Sequence, residues 1–177
     1  MLMILAQAVR ARRILEIGTL GGYSTIWLAR GLPDDGRLIT LEADPKHAKV
    51  ARKNITDAGL AERVEVREGL ALNLLPKLNA KRDGPFDLTF IDADKQNTWE
   101  YFDWAVKLSR GGSLIVVDNV VRHGALANVA SDDPNVRGMR RFCEMVANDK
   151  RVNASVIQTV GSKGYDGFAI AVVRGVA

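Results

Sequence analysis

The sequence predicts an α/β fold built on a mostly parallel sheet, and three observations support this prediction. Short aliphatic and β-branched runs alternate with segments of helical spacing, a pattern typical of parallel strands joined by helices. Two runs, Phe86–Ile91 and Ser113–Val117, are almost wholly apolar, as expected for strands buried on both faces. Two strand-like segments follow each other directly near the end of the chain and predict one antiparallel edge. The length of 177 residues suits one domain over residues 1–177.

Seven segments have the composition and spacing of strands. Five of them precede a helix-like segment, whereas the last two are separated only by the turn signal Gly161–Gly164. The predicted strands are Arg13–Ile17, Arg37–Glu42, Val64–Val66, Phe86–Ile91, Ser113–Val117, Ala154–Val160 and Gly167–Val173.

Six segments are predicted as helices. Pro45 suits the first turn of one helix, and Gly59 suits its end. The apolar start of the chain is also predicted to be helical, because its basic residues follow the apolar stretch, whereas those of a signal peptide precede it. The predicted helices are Met1–Val9, Tyr23–Arg30, Pro45–Ala58, Ala71–Leu78, Trp99–Leu108 and Asn135–Ala147.

Composition and charge argue against several classes of function. The formal net charge is +4, but the basic residues are scattered among 21 acidic ones and form no nucleic-acid-binding motif, so no nucleic-acid partner is expected. No apolar run approaches the roughly 18 residues of a membrane span, so no membrane association is expected. The single cysteine, Cys143, cannot form an internal disulfide, which favours a cytoplasmic location.

A glycine-bearing turn after the first predicted strand indicates a nucleotide-like cofactor. Ligands of open α/β sheets bind at the carboxyl ends of the strands, and the turn from Gly18 to Ser24 lies at such an end. Glu42 ends the second strand, where a carboxylate can accept the hydroxyls of a ribose. This pattern serves dinucleotides and S-adenosylmethionine alike, so an NAD-dependent oxidoreductase is one alternative.

Two residues of this turn favour a cationic cofactor. A dinucleotide site typically has Gly-x-Gly-x-x-Gly, but the middle glycine is replaced here by Leu20, which would crowd a pyrophosphate. Glu16 would repel phosphate but could bind an ammonium group, directly or through water. The alternative is that nearby backbone N–H groups satisfy Glu16. The turn therefore favours a nucleoside that carries a cationic amino-acid group.

Acidic residues follow the fourth and fifth predicted strands and indicate a metal site. Asp92, Asp118 and Asn119 offer oxygen ligands, which favour Mg²⁺ or Ca²⁺ over zinc. Lys95 follows Asp92 by three residues, and burial or a nearby cation lowers the pKa of an ammonium, so Lys95 is a candidate general base. The alternative is that both aspartates cap helices and Lys95 pairs with one of them. Because the two motifs follow adjacent central strands, we favour the site.

Taken together, five motifs resemble those of the metal-dependent O-methyltransferases, a family that includes caffeoyl-CoA and catechol O-methyltransferases. The resemblance covers nearly the whole chain, and its specific part is the combination of Asp-Ala-Asp-Lys with Asp-Asn. The glycine turn is shared by many methyltransferases. The motifs are Leu15–Ser24, Ile39–Glu42, Ile91–Lys95, Asp118–Asn119 and Gly161–Gly167.

The resemblance implies a fold, a cofactor, an acceptor and a set of site residues. The implied fold is a Rossmann-like seven-stranded sheet with an antiparallel last strand, commonly in a homodimer. The implied reaction transfers methyl from S-adenosylmethionine to a hydroxyl of a small catechol-like or caffeoyl-type molecule, assisted by Mg²⁺ or alternatively Mn²⁺ or Ca²⁺. Asp92, Asp118 and Asn119 would bind the metal, and Lys95 with Asp92 would be catalytic. The implied cofactor-binding residues are Glu16, Gly18, Leu20, Ser24, Glu42, Gly69, Ala71 and Asp92.

Three departures from the family pattern bear on these expectations. Family members have further helices upstream of the first strand that this sequence lacks, which leaves cofactor affinity and dimer geometry open. Thr98 stands where the family often has an aromatic residue, and Val120–His123 replaces a segment that often contains tryptophan. Arg122 could favour an anionic acceptor, or it could simply be an exposed loop residue. A non-catalytic nucleoside-binding protein is a second alternative, and it predicts cofactor binding without metal dependence or turnover.

Overall fold

The computed structural model describes residues 1–162 and 164–175. Lys163, which belongs to the predicted turn between the last two strands, and residues 176–177 lie outside the described residues. Within the described ranges, no helix is both long and apolar enough to cross a membrane.

Seven strands form one sheet in the order β3-β2-β1-β4-β5-β7-β6. The first five pair in parallel, and β7 lies antiparallel between β5 and β6. This arrangement confirms the predicted α/β fold with its antiparallel edge. The strands are β1 (Arg13–Ile17), β2 (Arg37–Glu42), β3 (Val64–Glu68), β4 (Phe86–Ile91), β5 (Ser109–Asp118), β6 (Val152–Gly161) and β7 (Gly164–Val173).

In residues 1–162 and 164–175, six α-helices connect or flank the strands. The side chains of Asp44 and Asp133 accept N–H groups in the first turns of α3 and α6, and a proline follows each aspartate. Lys95–Asn97 and Arg122–Ala127 form short 3₁₀ segments after β4 and β5. The helices are α1 (Leu2–Ala8), α2 (Tyr23–Arg30), α3 (Pro45–Asp57), α4 (Ala71–Lys81), α5 (Thr98–Lys107) and α6 (Pro134–Ala147).

The ends of several strands differ from the predicted boundaries. Strand β5 begins at Ser109, four residues before the predicted start, and its pairing with β4 shifts register between Phe86 and Leu88. The β6–β7 hairpin pairs as far as Gly161 and Gly164, beyond the predicted strands. Only Val152 of β6 is buried, so the edge strand forms through backbone pairing and has little apolar pattern that could predict its length.

Two hydrophobic clusters cover the two faces of the sheet. Alternate residues of β1 enter different clusters, with Leu15 on the side of Phe102 and Phe142, and Ile14 on the side of Leu28. Because both faces are covered, β4 is buried along its whole length. The core therefore fixes the central strands and leaves their carboxyl ends to shape the site.

Candidate active site

One cavity lies where the strand order reverses between β1 and β4, at the carboxyl ends of the parallel strands. Its volume is about 660 Å³. A groove of about 700 Å³ between α6 and β6 contains none of the predicted site residues, so volume alone does not identify the site. Open α/β sheets bind ligands at such a reversal point, which favours the first cavity. Of the predicted site residues, its wall contains Gly18, Leu20, Ser24, Glu42, Gly69, Ala71, Asp92 and Asp118.

Gly18 allows the end of β1 to approach the end of β4. Its φ is +97°, and a Cβ at this position would lie 2.0 Å from the carbonyl oxygen of Asp92. A larger residue would therefore clash with the backbone that carries Asp92. The glycine turn therefore lies directly against the backbone that carries the predicted catalytic residue Asp92.

Glu42 shapes the glycine turn as well as the cavity. Its Oε2 accepts hydrogen bonds from the N–H groups of Thr19 (3.1 Å) and Leu20 (2.8 Å), and its Oε1 accepts one from Asp44 N (2.9 Å). A carboxylate has about four lone-pair sites, so roughly one remains for a ligand. In this conformation Glu42 can still accept a ribose hydroxyl, and its predicted contact with both hydroxyls stays a prediction.

Glu16 lies behind the cavity wall and contacts hydroxyl groups. It is fully buried and accepts hydrogen bonds from Ser24 Oγ (2.5 Å), Thr40 Oγ1 (2.7 Å) and Thr25 Oγ1. These hydroxyls take the place of the backbone N–H groups considered as an alternative. Burial raises the pKa of Glu16 to about 7. Ser24 lines the cavity and Glu16 does not, so Glu16 lies behind Ser24 in this conformation.

Replacing Glu16 with glutamine is expected to change how stability depends on pH. Since the pKa of Glu16 rises from 4.5 to about 7 on folding, the folded protein binds this proton more tightly than the unfolded chain. The stabilising contribution is therefore full below pH 4.5 and is lost as the pH rises through about 7. Relative to the wild type, Glu16→Gln should gain ~1–3 kcal/mol in free energy of unfolding between pH 5 and pH 8.

Chemical denaturation across this pH range measures the effect. Glu62→Gln is the matched control, because Glu62 is exposed and has no hydrogen bond or ion pair within the described part of the chain. A stability difference between Glu16→Gln and the wild type that stays constant with pH would show that Glu16 does not titrate as described.

Lys95 joins the ends of β4 and β5. It begins the 3₁₀ segment after β4, and its buried Nζ donates to Asp92 Oδ1 (2.7 Å) and to the carbonyl oxygen of Asp118 (3.3 Å). Helix α6 packs directly on this segment, since a Cβ at Gly138 would lie 2.4 Å from the carbonyl oxygen of Lys95. The predicted base therefore lies directly beside Asp92 and Asp118, which line the cavity, whereas Lys95 and Asn119 do not line it.

Asp118 and Asn119 end β5 beside this cluster. Asp118 Oδ1 accepts the N–H of Asn119 (2.8 Å), and Asn119 has a left-handed φ of +62°. Burial raises the pKa of the Asp118 carboxyl, and the charges of Asp92 and Asp166 act in the same direction against the opposing effect of Lys95. Carboxylates that repel one another in this way favour a bound cation.

The donor set fits a hard divalent cation. Two carboxylates and one amide supply oxygen ligands only, which suits Mg²⁺, Mn²⁺ or Ca²⁺. Within residues 1–162 and 164–175, no three His, Cys, Asp or Glu side chains are grouped to hold a metal, so the proposed set depends on the amide of Asn119. Such a set leaves coordination positions for water and for the oxygens of a substrate.

Tyr101, His47 and Asp94 also line the cavity, although they are not among the predicted site residues. Tyr101 donates a hydrogen bond to Asp94, and burial together with this bond raises the pKa of the phenol, which therefore remains a donor. His47 Nδ1 lies 3.7 Å from Glu42 Oε1. Asp94 follows Asp92 after the end of β4, and His47 lies in the first turn of α3, shortly after the end of β2. Because ligands of such sheets bind at strand ends, the sequence positions of both residues could have identified them.

Arg122 lies on the loop that follows Asn119. Its Nε is buried without a hydrogen-bond partner, and the side chain makes no ion pair within the described residues. Arg122 is half-buried. It is therefore not simply the exposed loop residue that the sequence left open as an alternative.

Comparisons with known proteins identify the family. The family model described as O-methyltransferase matches residues 1–171. The chain is 55% identical to a catechol O-methyltransferase of Niastella koreensis, over 98% of the chain and 78% of that protein. It is 56% identical to a catechol O-methyltransferase of Mycobacterium tuberculosis, over 98% of the chain and 77% of that protein.

Solved structures superpose closely on the fold. An O-methyltransferase of Bacillus cereus in complex with SAH is 60% identical, with a TM-score of 0.95 over 98% of this chain and 79% of that one. An O-methyltransferase of Streptomyces achromogenes in complex with SAM is 53% identical, with a TM-score of 0.95 over 98% of this chain and 78% of that one. These four relatives are named O-methyltransferases, not NAD-dependent oxidoreductases. The chain belongs to the O-methyltransferase family and is an S-adenosylmethionine-dependent O-methyltransferase.

Proposed function

We propose that this enzyme methylates one hydroxyl of a small catechol-like aromatic molecule with the help of a divalent cation. The observation that carries the proposal is that one cavity borders both the glycine turn and the carboxylates of Asp92 and Asp118, with Lys95 directly behind them. The two relatives named catechol O-methyltransferase, each more than half identical, support this class of acceptor.

We place the cofactor along the cavity from β3 to β4. Gly69 and Ala71 would contact the adenine, Glu42 the ribose, and Ser24 and Asp92 the methionine part. Gly18 and Leu20 would contact the cofactor through the turn, and Glu16 would act through Ser24. Asp94 is an additional candidate for the ammonium group, because it lines the same end of the cavity and is oriented by Tyr101.

We assign the metal to Asp92, Asp118 and Asn119, with Mg²⁺ as the expected ion and Mn²⁺ or Ca²⁺ as alternatives. When bound, the ion would act as a Lewis acid that lowers the pKa of the acceptor hydroxyl and helps to orient its oxygen. Asp92 would serve both ligands, since it borders the cofactor cavity and pairs with Lys95.

Lys95 is the proposed general base. Its Nζ lies between Asp92 and the backbone of Asp118, so the amine would take the acceptor's hydroxyl proton after releasing a proton of its own. The resulting oxygen anion attacks the sulfonium methyl carbon in line. The new O–C bond forms as the S–C bond breaks. The electron pair of the S–C bond stays on sulfur, which becomes a neutral thioether. Alignment of the two reactants would supply much of the rate enhancement.

A homodimer and a cytoplasmic location complete the proposal. The first rests on the family resemblance and the second on the single cysteine, Cys143. The acceptor itself is described only as a class, a small aromatic molecule with neighbouring hydroxyls.

Calorimetric titration tests the proposed function. We expect S-adenosylmethionine to bind alone, and catechol to bind the cofactor complex only when Mg²⁺ is present. Cofactor binding without metal-dependent acceptor binding would contradict the metal-assisted mechanism and would favour the non-catalytic nucleoside-binding protein. If catechol binds equally well in the presence of EDTA, the proposed role of the metal is contradicted, whereas the proposed class of acceptor remains supported.

A further inference from the structure

The loop that follows Asn119 has a strained backbone. Asn119, Arg122 and His123 have positive φ values of 62°, 50° and 54°, which side-chain-bearing residues rarely adopt. Such conformations persist where surrounding contacts hold them. The predicted metal ligand Asn119 therefore depends on whatever holds residues 119–123 in place.

Asp166 makes the most extensive contacts with this segment. Its Oδ1 accepts hydrogen bonds from the backbone N–H groups of Val121 (3.0 Å), Arg122 (2.8 Å) and Gly167 (2.8 Å). Burial alone would raise the pKa of the Asp166 carboxyl, but these donors lower it, and the side chain of Asn119 adds a weaker effect in the same direction. Asp166 thus contacts the loop at Val121 and Arg122, between Asn119 and His123.

Tyr165 holds the next part of the same loop. Its hydroxyl donates to the carbonyl oxygen of His123 (2.6 Å), and the two rings meet edge to face with centroids 5.7 Å apart. The β7 backbone adds a bond from Val120 N to Gly167 O (3.0 Å). Residues 165–167, at the start of β7, therefore form hydrogen bonds with each of residues 120–123 of the loop.

We propose that Asp166 is a positioning residue that holds Asn119 in the orientation needed to bind the divalent cation, with Tyr165 as a secondary support. This inference rests on the proposed function, because Asn119 is a ligand only if the site binds a metal. Partners that orient a metal ligand without touching the metal typically contribute about 10–100-fold to metal affinity. Asp166 contacts neither the cofactor cavity wall nor Lys95, so its effect should be confined to the metal.

Titration of Mn²⁺ by electron paramagnetic resonance, on the full chain, tests the proposal. We expect Asp166→Ala to weaken Mn²⁺ binding about 10–100-fold while the affinity for S-adenosylmethionine stays within about twofold. Asp166→Asn should retain more Mn²⁺ affinity than Asp166→Ala, since an amide oxygen still accepts backbone N–H groups, and its remaining loss reports the missing charge near Asp118. Tyr165→Phe should weaken Mn²⁺ binding less than Asp166→Ala, because it removes one hydrogen bond.

Asp149→Ala is a matched control. Asp149 also accepts a backbone N–H, that of Arg151 (2.9 Å), but it lies just before β6, at the opposite end of the β6–β7 hairpin. Thermal unfolding and amide exchange of Val121 and Arg122 separate misfolding from local release of the loop. Unchanged Mn²⁺ affinity in a folded Asp166→Ala protein would overturn this inference while the proposed function stands. A wild-type protein that does not bind Mn²⁺ would overturn both.

Discussion

Replacing Asp118 with alanine is expected to reduce Mg²⁺-dependent methylation of catechol by about 1000-fold, because a Lewis-acid metal stabilises the transition state by several kcal/mol. Asp118 is the proposed ligand at the end of β5, where burial and its acidic neighbours Asp92 and Asp166 already favour a cation. The loss should appear as weaker binding of both Mn²⁺ and catechol. Affinity for S-adenosylmethionine should change little, since most of the cavity wall comes from other strands.

The control for this prediction is Asp132→Ala, because Asp132 is an exposed aspartate with no hydrogen bond or ion pair in the part of the chain that the structure describes. Steady-state rates at saturating cofactor, with Mg²⁺ varied, separate lost metal binding from lost chemistry. If Asp118→Ala keeps wild-type rates and the wild-type dependence on Mg²⁺, Asp118 is not a metal ligand.

Replacing Lys95 with methionine should lower kcat by about 100–10,000-fold, the usual contribution of a general base. Lys95→Arg makes the experiment more specific. Arginine can maintain an ion pair with Asp92, yet a guanidinium does not accept a proton near neutral pH. A general base therefore predicts that both variants are inactive, whereas a purely electrostatic role predicts that Lys95→Arg retains substantial activity.

Lys49→Met is the matched control, because Lys49 is exposed on α3 and makes no ion pair within the described ranges. Thermal unfolding of each variant checks for damage from the loss of the ion pair between the buried Lys95 and the exposed Asp92. Recovery of the wild-type kcat by Lys95→Arg would assign Lys95 to charge placement instead of proton transfer.

The central strands and the site at their ends were predictable because they depend on features of short sequence segments, namely apolar composition and position directly after a strand. Phe86–Ile91 reads as a buried strand from its composition, and parallel packing then brings Asp92 to the same edge as Gly18 and Glu42. The structure brings these residues together as expected. Their roles in binding and catalysis remain predictions that the experiments above test.

The remaining features depend on contacts between distant parts of the chain. Asp166 accepts the N–H of Val121 from 45 residues away, and no local pattern predicts such a bond. Glu42 accepts two backbone N–H groups of the turn that follows β1, and the spacing of apolar residues along the chain gives no sign of these bonds. The length of β6 was also underestimated, since an exposed edge strand has no buried face to mark it.

The most direct test of the central claim follows the methyl group itself. The purified chain is incubated with methyl-labelled S-adenosylmethionine, catechol and Mg²⁺, and the product is identified by mass spectrometry, with parallel reactions that contain EDTA or resorcinol. We expect labelled monomethylated catechol in the first reaction and almost none with EDTA or with resorcinol, whose hydroxyls are not adjacent. Equal methylation with EDTA, or of both diols, would contradict a metal-assisted enzyme that recognises neighbouring hydroxyls.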